Sequence, residues 1–218
     1  MVDYNNFAKT FSKSRKNMKW LEMEYFLEKI IFSDSTKILD VWCGNWRFLW
    51  ELVNIFWDKI HKNNYTWADL SSGLLEEARK DYSDFSFHEL NMLDLDSLES
   101  KYSDIFFYAS FHHLQKISDR KIVLTKAYNL LEKWWKIYMT NWALNSELNK
   151  KRYSEAEIEN SINEYGSVDF NIKLAWNDRY YHCFSLDELK TLSEEVWFKI
   201  IENRLFENDR NLITILEK

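Results

Sequence analysis

Ile38-Leu39-Asp40-Val41-Trp42-Cys43-Gly44-Asn45-Trp46-Arg47-Phe48-Leu49 runs from a short β-like segment, through a loop, into an amphipathic helix. In a nucleotide-binding sheet this turn is rich in glycine, because a ligand must approach the main-chain amides at the helix N-terminus. Here the indoles of Trp42 and Trp46 stand where that chemistry wants hydrogens. Composition repeats the oddity on the scale of the whole chain. Its 218 residues include 3 Gly, 0 Pro and 11 Trp, whereas average usage predicts roughly 15 Gly and roughly 11 Pro. Glycine supplies positive φ and proline pre-sets turn dihedrals, so a chain short of both should struggle to turn tightly. Glycine and tryptophan together number 14, close to the glycine count expected by itself.

Outward from this loop, β-like runs alternate with helical stretches. Strands are predicted at 37–41, 65–69, 85–90, 104–109, 136–141, 198–204 and 210–217, and helices near 46–56, 72–81, 118–131 and 186–196. Such alternation implies βαβ units and a mostly parallel sheet covered on both faces. The last two strands have no helix between them and read as an antiparallel hairpin. The predicted fold class is therefore α/β and Rossmann-like, a seven-stranded mostly parallel sheet with a C-terminal antiparallel hairpin, in one domain over 1–218.

Two segments fall outside the rhythm. Residues 1–32 read as a helical cover with Phe7, Phe11, Tyr25, Phe26 and Ile30 on apolar faces, and with Lys9, Lys13, Arg15, Lys16 and Lys19 close together. Residues 143–183 are polar and interrupt the path from the fifth strand to the last helix. Open α/β sheets place ligand contacts in insertions at strand C-terminal ends, so both segments are candidate substrate covers. A solvated helix and a loose loop are the alternative reading.

With 46% hydrophobic and 29% charged residues the chain is neither disordered, collagen-like nor a disulfide scaffold. No apolar run reaches the roughly 20 residues of a membrane span, and the start Met1-Val2-Asp3-Tyr4 lacks a signal pattern, so a cytoplasmic location is expected. Cys43 and Cys183 make neither a disulfide framework nor a metal cluster. A net charge of −6 argues against broad nonspecific nucleic-acid binding and leaves room for a local basic patch.

Reading Trp42 and Trp46 as glycine turns the loop into Asp-Val-Gly-Cys-Gly-Asn-Gly, which resembles the first motif of class I S-adenosylmethionine-dependent methyltransferases. Other tryptophans also fall where that family carries glycine or at predicted turns and strand starts: Trp134 and Trp135 before the fifth strand, Trp67, Trp176 and Trp197, with Trp57 at a helix C-cap. Tryptophan concentrated at turns reverses its usual core preference. The simplest account is that UGA codons are decoded as glycine in the native protein and written as tryptophan here. Trp20 and Trp142 sit where a genuine indole is expected. UGG codons at 42, 46, 134 and 135, or indoles found there by mass spectrometry of native protein, would refute this account.

The resemblance implies S-adenosylmethionine as cofactor and assigns its contacts. Trp42, Cys43, Gly44 and Trp46 form the loop, with Asp40 orienting it towards the methionine ammonium. Asp69, followed by Leu70, holds the ribose hydroxyls, with a helix-cap role as the alternative. Asn91 and Met92 stand at the adenine edge, where the family's usual acid is replaced by Asn91. Ala109 precedes Ser110-Phe111-His112-His113, a pair that in the resemblance faces the methyl-donor pocket. Adjacent side chains point apart and no third ligand is near, so no metal is expected. His112 is instead a candidate general base or positioning group, or a buried structural histidine.

Arg179-Tyr180-Tyr181-His182, together with the His-His pair, Asn141-Trp142-Ala143-Leu144 and Phe11-Ser12-Lys13-Ser14-Arg15, is similar to the eukaryotic tRNA wobble-uridine carboxymethyl methyltransferases. That likeness implies tRNA as substrate, a methyl ester at the carboxylate of 5-carboxymethyluridine, and a small activator protein as partner. Arg179 or Arg15 would hold the carboxylate bidentately, Tyr180 or Tyr181 would stack on an unpaired base, and His182 completes the candidate set. The alternatives are a small-molecule methyltransferase, or a catalytically silent binding module if the indoles are real.

Overall fold

The computed structural model describes residues 20–42, 44, 47–57, 59–174 and 177–218. Chain order is α1 (Leu21–Leu27), β1 (Ile38–Val41), α2 (Arg47–Phe56), β2 (Tyr65–Asp69), α3 (Ser72–Asp81), β3 (Ser86–Glu89), β4 (Tyr102–Tyr108), α4 (Ile117–Leu130) and β5 (Leu131–Trp142). Then follow α5 (Glu147–Tyr153), β6 (Val168–Leu174), β7 (Asn177–Cys183), α6 (Leu186–Glu195), β8 (Lys199–Leu205) and β9 (Asn211–Glu217). The main sheet has the order β3-β2-β1-β4-β5-β9-β8. Strands β1 to β5 pair in parallel, and β9 runs antiparallel between β5 and β8. All seven strands expected from the sequence are present, including the terminal hairpin.

Period-two alternation explains how the strands hold two helix layers. Leu39, Val41, Ile105, Phe107, Ile137 and Met139 point to one face, where Val123, Leu124 and Ala127 of α4 and Leu189 and Leu192 of α6 cover them. Ile38, Phe106, Tyr108, Tyr138, Ile213 and Ile215 point to the other, against Phe26 of α1 and Phe48, Leu49 and Leu52 of α2. Among the described residues α1 represents the predicted helical cover; Phe7, Phe11, Lys9, Lys13, Arg15, Lys16 and Lys19 lie outside the described residues. Phe26 of α1 and Ile30 beyond its end are buried as expected.

Three details correct the reading from sequence. Within the expected insertion at 143–183 the alternative of a loose loop gives way to α5 and then the β6–β7 hairpin, around a small core of Leu144, Val168, Phe170, Ile172, Tyr181 and Cys183. Strand β5 begins at Leu131, not 136, because its register against β4 jumps from Tyr102↔Leu131 to Asp104↔Lys136 and so bulges the intervening residues. Trp67 is not at a turn. It lies within β2, fully buried, and donates through Nε1 to the Tyr65 hydroxyl at 3.0 Å.

The backbone separates the tryptophans into groups. Trp42, Trp134 and Trp197 have φ of 55°, 73° and 64°, the left-handed region that costs a bulky L-residue about 1–2 kcal/mol and glycine almost nothing. Trp134 and Trp197 are also 67% and 76% exposed. Trp57, at the end of α2, is 78% exposed. Trp20 and Trp142 instead pack edge-on against aromatic rings, Trp20 on Tyr108 at 6.3 Å and Trp142 on Tyr153 and Tyr181 at 5.1 Å. Trp176 lies outside the described residues.

Left-handed strain at exposed positions should be removable. Trp134→Gly and Trp197→Gly are each expected to stabilise the chain by about 1 kcal/mol, roughly 2–4 °C in Tm. Thermal unfolding of the two variants checks this, and a lower Tm in both contradicts it.

Candidate active site

The site is built at the carboxyl ends of β1, β2, β4 and β5. Between β1 and β4 the chain order reverses direction across the sheet, which makes this the crevice where open α/β sheets bind ligands. Leaving β1, Trp42 gives its N–H to the Ala68 carbonyl at 2.6 Å, and Gly44, with φ 59°, gives its N–H to Asp69 Oδ2 at 2.9 Å. Asp69 Oδ1 accepts from the Ser71 amide at 2.8 Å. Asp69 does not cap α3; the Ser71 hydroxyl does, accepting from Leu74 N at 3.2 Å. Burial raises the Asp69 carboxyl to about 6, opposed by the Ser71 and Gly44 amides and by the Arg179 charge.

Asp40 sits one strand over. Its Oδ2 accepts from the Tyr65 hydroxyl at 2.9 Å, while Oδ1 is buried without a partner among the described residues. Burial lifts this carboxyl to about 7; the Tyr65 and Trp67 donors oppose the rise and the Asp69 charge adds to it. Two acids with raised pKa at the crevice suit a ligand that brings a cation and hydroxyl donors. The indole at 42 does not suit one. It lies against His113, ring centroids 6.4 Å apart, and so spans the gap between the β1 and β4 loops. S-adenosylmethionine fits the acids here, and fits the loop once residue 42 is glycine.

The remaining cofactor candidates divide. Leu70 is at the rim, 37% exposed. Asn91 uses its Oδ1 to accept from Leu93 N at 3.0 Å, so the atom expected to read an adenine amino group is engaged locally. Met92 is fully buried in the core beside Leu39 and Ala68, which leaves its main chain alone to face a base. Ala109 takes φ 46° and donates to Thr140 Oγ1 at 2.9 Å, turning the chain sharply out of β4. Cys43 and Trp46 lie outside the described residues, as does Arg15.

After Ala109 the two histidines are held in opposite tautomers. His112 Nδ1 accepts from the Trp142 amide at 3.1 Å, so its proton is on Nε2. His113 Nδ1 lies 2.9 Å from the Tyr180 carbonyl, which only an N–H can satisfy, so its Nε2 accepts from Arg179 Nη2 at 2.5 Å. Burial first, and then the Arg179 charge, push both rings well below the usual histidine pKa. His112 therefore stands as a neutral hydrogen-bond donor. The general-base role expected from its position is corrected: neither of its nitrogens has a lone pair to spare.

The Arg-Tyr-Tyr-His block lies on β7. Arg179 sits over the Tyr181 ring at 5.1 Å. Tyr181 is buried and walled by His112, His113 and Trp142 at 5.1, 4.7 and 5.1 Å, so it builds the pocket wall and has no free face for a base. Tyr180 donates to Asp169 Oδ1 at 2.7 Å. His182 is not turned to a reacting group: Nδ1 lies 2.6 Å from Asp169 Oδ1 and Nε2 lies 2.9 Å from Glu188 Oε2. Glu188 also takes Arg120 Nη1 at 2.8 Å and Asn163 Nδ2 at 2.8 Å. Against the cost of burial, the His182 contacts hold Glu188 down at about 2. This network bolts the β6–β7 hairpin to α4 and α6. Reasoning from sequence missed Arg120, Asp169 and Glu188, which are scattered along the chain and unremarkable in pattern. Asn141 was singled out only as part of the resemblance and given no role, although a polar residue ending an apolar strand is a readable signal.

Among the described residues no group of three or more His, Cys, Asp or Glu is placed to hold a metal, and no helix is long and apolar enough to cross a membrane. No family model and no curated protein matches the sequence. Solved structures do match the fold. An S-adenosylmethionine-dependent methyltransferase from Clostridium acetobutylicum superposes with a TM-score of 0.67 at 12% identity over 98% of each chain. The CcbJ methyltransferase from Streptomyces caelestis gives 0.70 at 12% identity over 99% of each chain. The 1,6-didemethyltoxoflavin-N1-methyltransferase of Burkholderia thailandensis, solved with S-adenosylhomocysteine, gives 0.63 at 13% identity, covering 98% of this chain and 85% of that one. The chain thus has the Rossmann-like methyltransferase fold.

A carboxyl whose pKa is raised by folding favours the native state in its protonated form and penalises it once ionised. The penalty at Asp40 grows as pH rises from about 4 and is complete above about 7. Asp40→Asn keeps an acceptor for Tyr65 and carries no charge. It should be more stable than the parent at pH 8 and no more stable at pH 4, as read by urea unfolding at the two pH values. Equal stability at pH 8 contradicts the buried, ligand-awaiting carboxylate.

Proposed function

We propose that this chain is an S-adenosylmethionine-dependent methyltransferase, with residues 42 and 46 glycine in the native protein, and that it esterifies the carboxylate of 5-carboxymethyluridine at the tRNA wobble position. The observation that carries the reading is the left-handed turn at residue 42, closed by the Gly44 amide on Asp69. Such a turn after the first strand brings main-chain amides to the crevice, and the neighbouring carboxylates supply the acceptors. Bound S-adenosylmethionine supplies an electrophilic methyl group on a sulfonium.

Asp69 would accept from the ribose hydroxyls and Asp40 would face the ammonium. The acceptor carboxylate would take that methyl group, the carbon–sulfur electron pair staying on sulfur, to leave an ester and a neutral thioether. No proton moves in this step, so it asks for alignment and charge placement rather than a base. A neutral His112 that donates from Nε2 agrees with that requirement. Arg179, whose charge reaches both Asp69 and the histidines, is the cation suited to hold an incoming carboxylate near the crevice. The exposed Lys150, Lys151 and Arg152 of α5 give a tRNA backbone something to contact on the substrate side. A small activator protein is part of this reading.

A small-molecule acceptor is the second reading, favoured by the net charge of −6. Salt separates the two: tRNA binding weakens steeply as salt is added, whereas binding of a small neutral acceptor hardly changes.

The cofactor assignment has its own test. Trp42→Gly/Trp46→Gly protein is expected to bind S-adenosylhomocysteine in calorimetry, with affinity falling at least about tenfold on adding Asp69→Ala, the loss of one charge-assisted hydrogen-bond pair. Equal binding by the unchanged chain would overturn the argument about residues 42 and 46. For the substrate, mass spectrometry of tRNA nucleosides from a deletion strain should show the ester-modified wobble uridine gone.

A further inference from the structure

Among the described residues seven side-chain atoms are buried with no hydrogen-bond partner, and four of them belong to three residues at or just beyond the ends of β4 and β5: Ser110 Oγ, His112 Nε2, and Asn141 Oδ1 and Nδ2. Tyr108 pairs with Thr140 across β4 and β5, so Ala109 and Ser110 leave β4 alongside Asn141 and Trp142. His112 is tied to the same spot by the Trp142 amide. All three residues are at most 1% exposed. Buried polar groups are ordinarily paired, and leaving several unpaired in one region is costly unless a ligand or ordered water completes them.

The chemistry of the open atoms restricts that ligand. His112 Nε2 donates. Asn141 donates through Nδ2 and accepts through Oδ1, and Ser110 can do either. A carboxylate or phosphate offers nothing to Asn141 Oδ1, and an aliphatic group satisfies none of the four. An imide, –C(=O)–NH–C(=O)–, offers acceptor, donor and acceptor in a row. We propose that Ser110, His112 and Asn141 form a subsite for the imide edge of a uracil-type base, separate from the group that receives the methyl. This rests on the methyltransferase reading above and names how its acceptor would be recognised.

Two measurements test it. In the ligand-free chain, Asn141→Leu replaces two unpaired polar atoms by carbon and should raise Tm by about 2–4 °C; an unchanged or lower Tm means the amide serves the fold, and overturns the subsite. In calorimetry, the Trp42→Gly/Trp46→Gly protein should bind an anticodon stem-loop RNA with wobble uridine about tenfold more tightly than the same RNA with 3-methyluridine there, and Asn141→Leu should abolish the difference. Discrimination without methyl transfer to a carboxymethyl group refutes the wobble-ester reading and leaves the subsite standing. Equal binding of the two RNAs, no binding of either, or discrimination retained in Asn141→Leu overturns the subsite.

Discussion

The turn that leaves β1 through left-handed backbone at residue 42 is the constraint on which the site depends. Its amide is tied to Ala68 and the amide two residues later to Asp69, so the loop is fastened to the end of β2 at two points. A looser turn would take from the buried Asp69 one of its amide donors, at a cost. The same turn sets where α2 starts, and hence where Phe48, Leu49 and Leu52 meet the sheet. Glycine is the residue for which this conformation carries no side-chain penalty. An indole there is forced across the crevice against His113, so one side chain reports both on the geometry of the loop and on the space a ligand needs.

Opposite this loop, rigidity comes from polar pairs rather than from apolar packing. His113 is fixed between the Tyr180 carbonyl and Arg179, and His112 between the Trp142 amide and the Tyr181 ring. Behind them Arg120, Glu188, His182 and Asp169 form a largely buried chain of polar contacts that fastens the β6–β7 hairpin. Removing one member of such a chain leaves its partners buried and unpaired, which is why these networks specify geometry strongly. This side of the crevice is thereby pre-shaped, while Ser110, His112 and Asn141 keep buried polar atoms without a partner among the described residues.

Much of the fold was legible because its signals are local. Ile105 and Phe107 alternate with Phe106 and Tyr108 along β4, and that alternation alone assigns them to opposite layers. The loop after β1, and Asp40 and Asp69 near the carboxyl ends of β1 and β2, stood out because each lies at or near the end of a strand. What misled was position without partner. Met92 follows β3 as the resemblance requires, yet it is a core residue; His182 belongs to a chemistry-rich block, yet both its nitrogens face carboxylates. The β6–β7 hairpin inside the 143–183 insertion was not legible because its strands pair with each other rather than with the main sheet, around a small core that draws on Leu144 and Trp142 from outside it.

By itself the sequence determined the strand–helix rhythm, the closing hairpin, the acids at strand ends and the suspicion about its tryptophans, since all of these are written in the spacing of neighbouring residues. Only the tertiary structure decided which tryptophans sit in left-handed backbone, which tautomer each histidine holds, and which polar atoms are left open at the ends of β4 and β5. Those properties depend on contacts between residues tens of positions apart, such as Trp142 with His112 and Tyr180 with His113. Spacing along the chain carries no record of them.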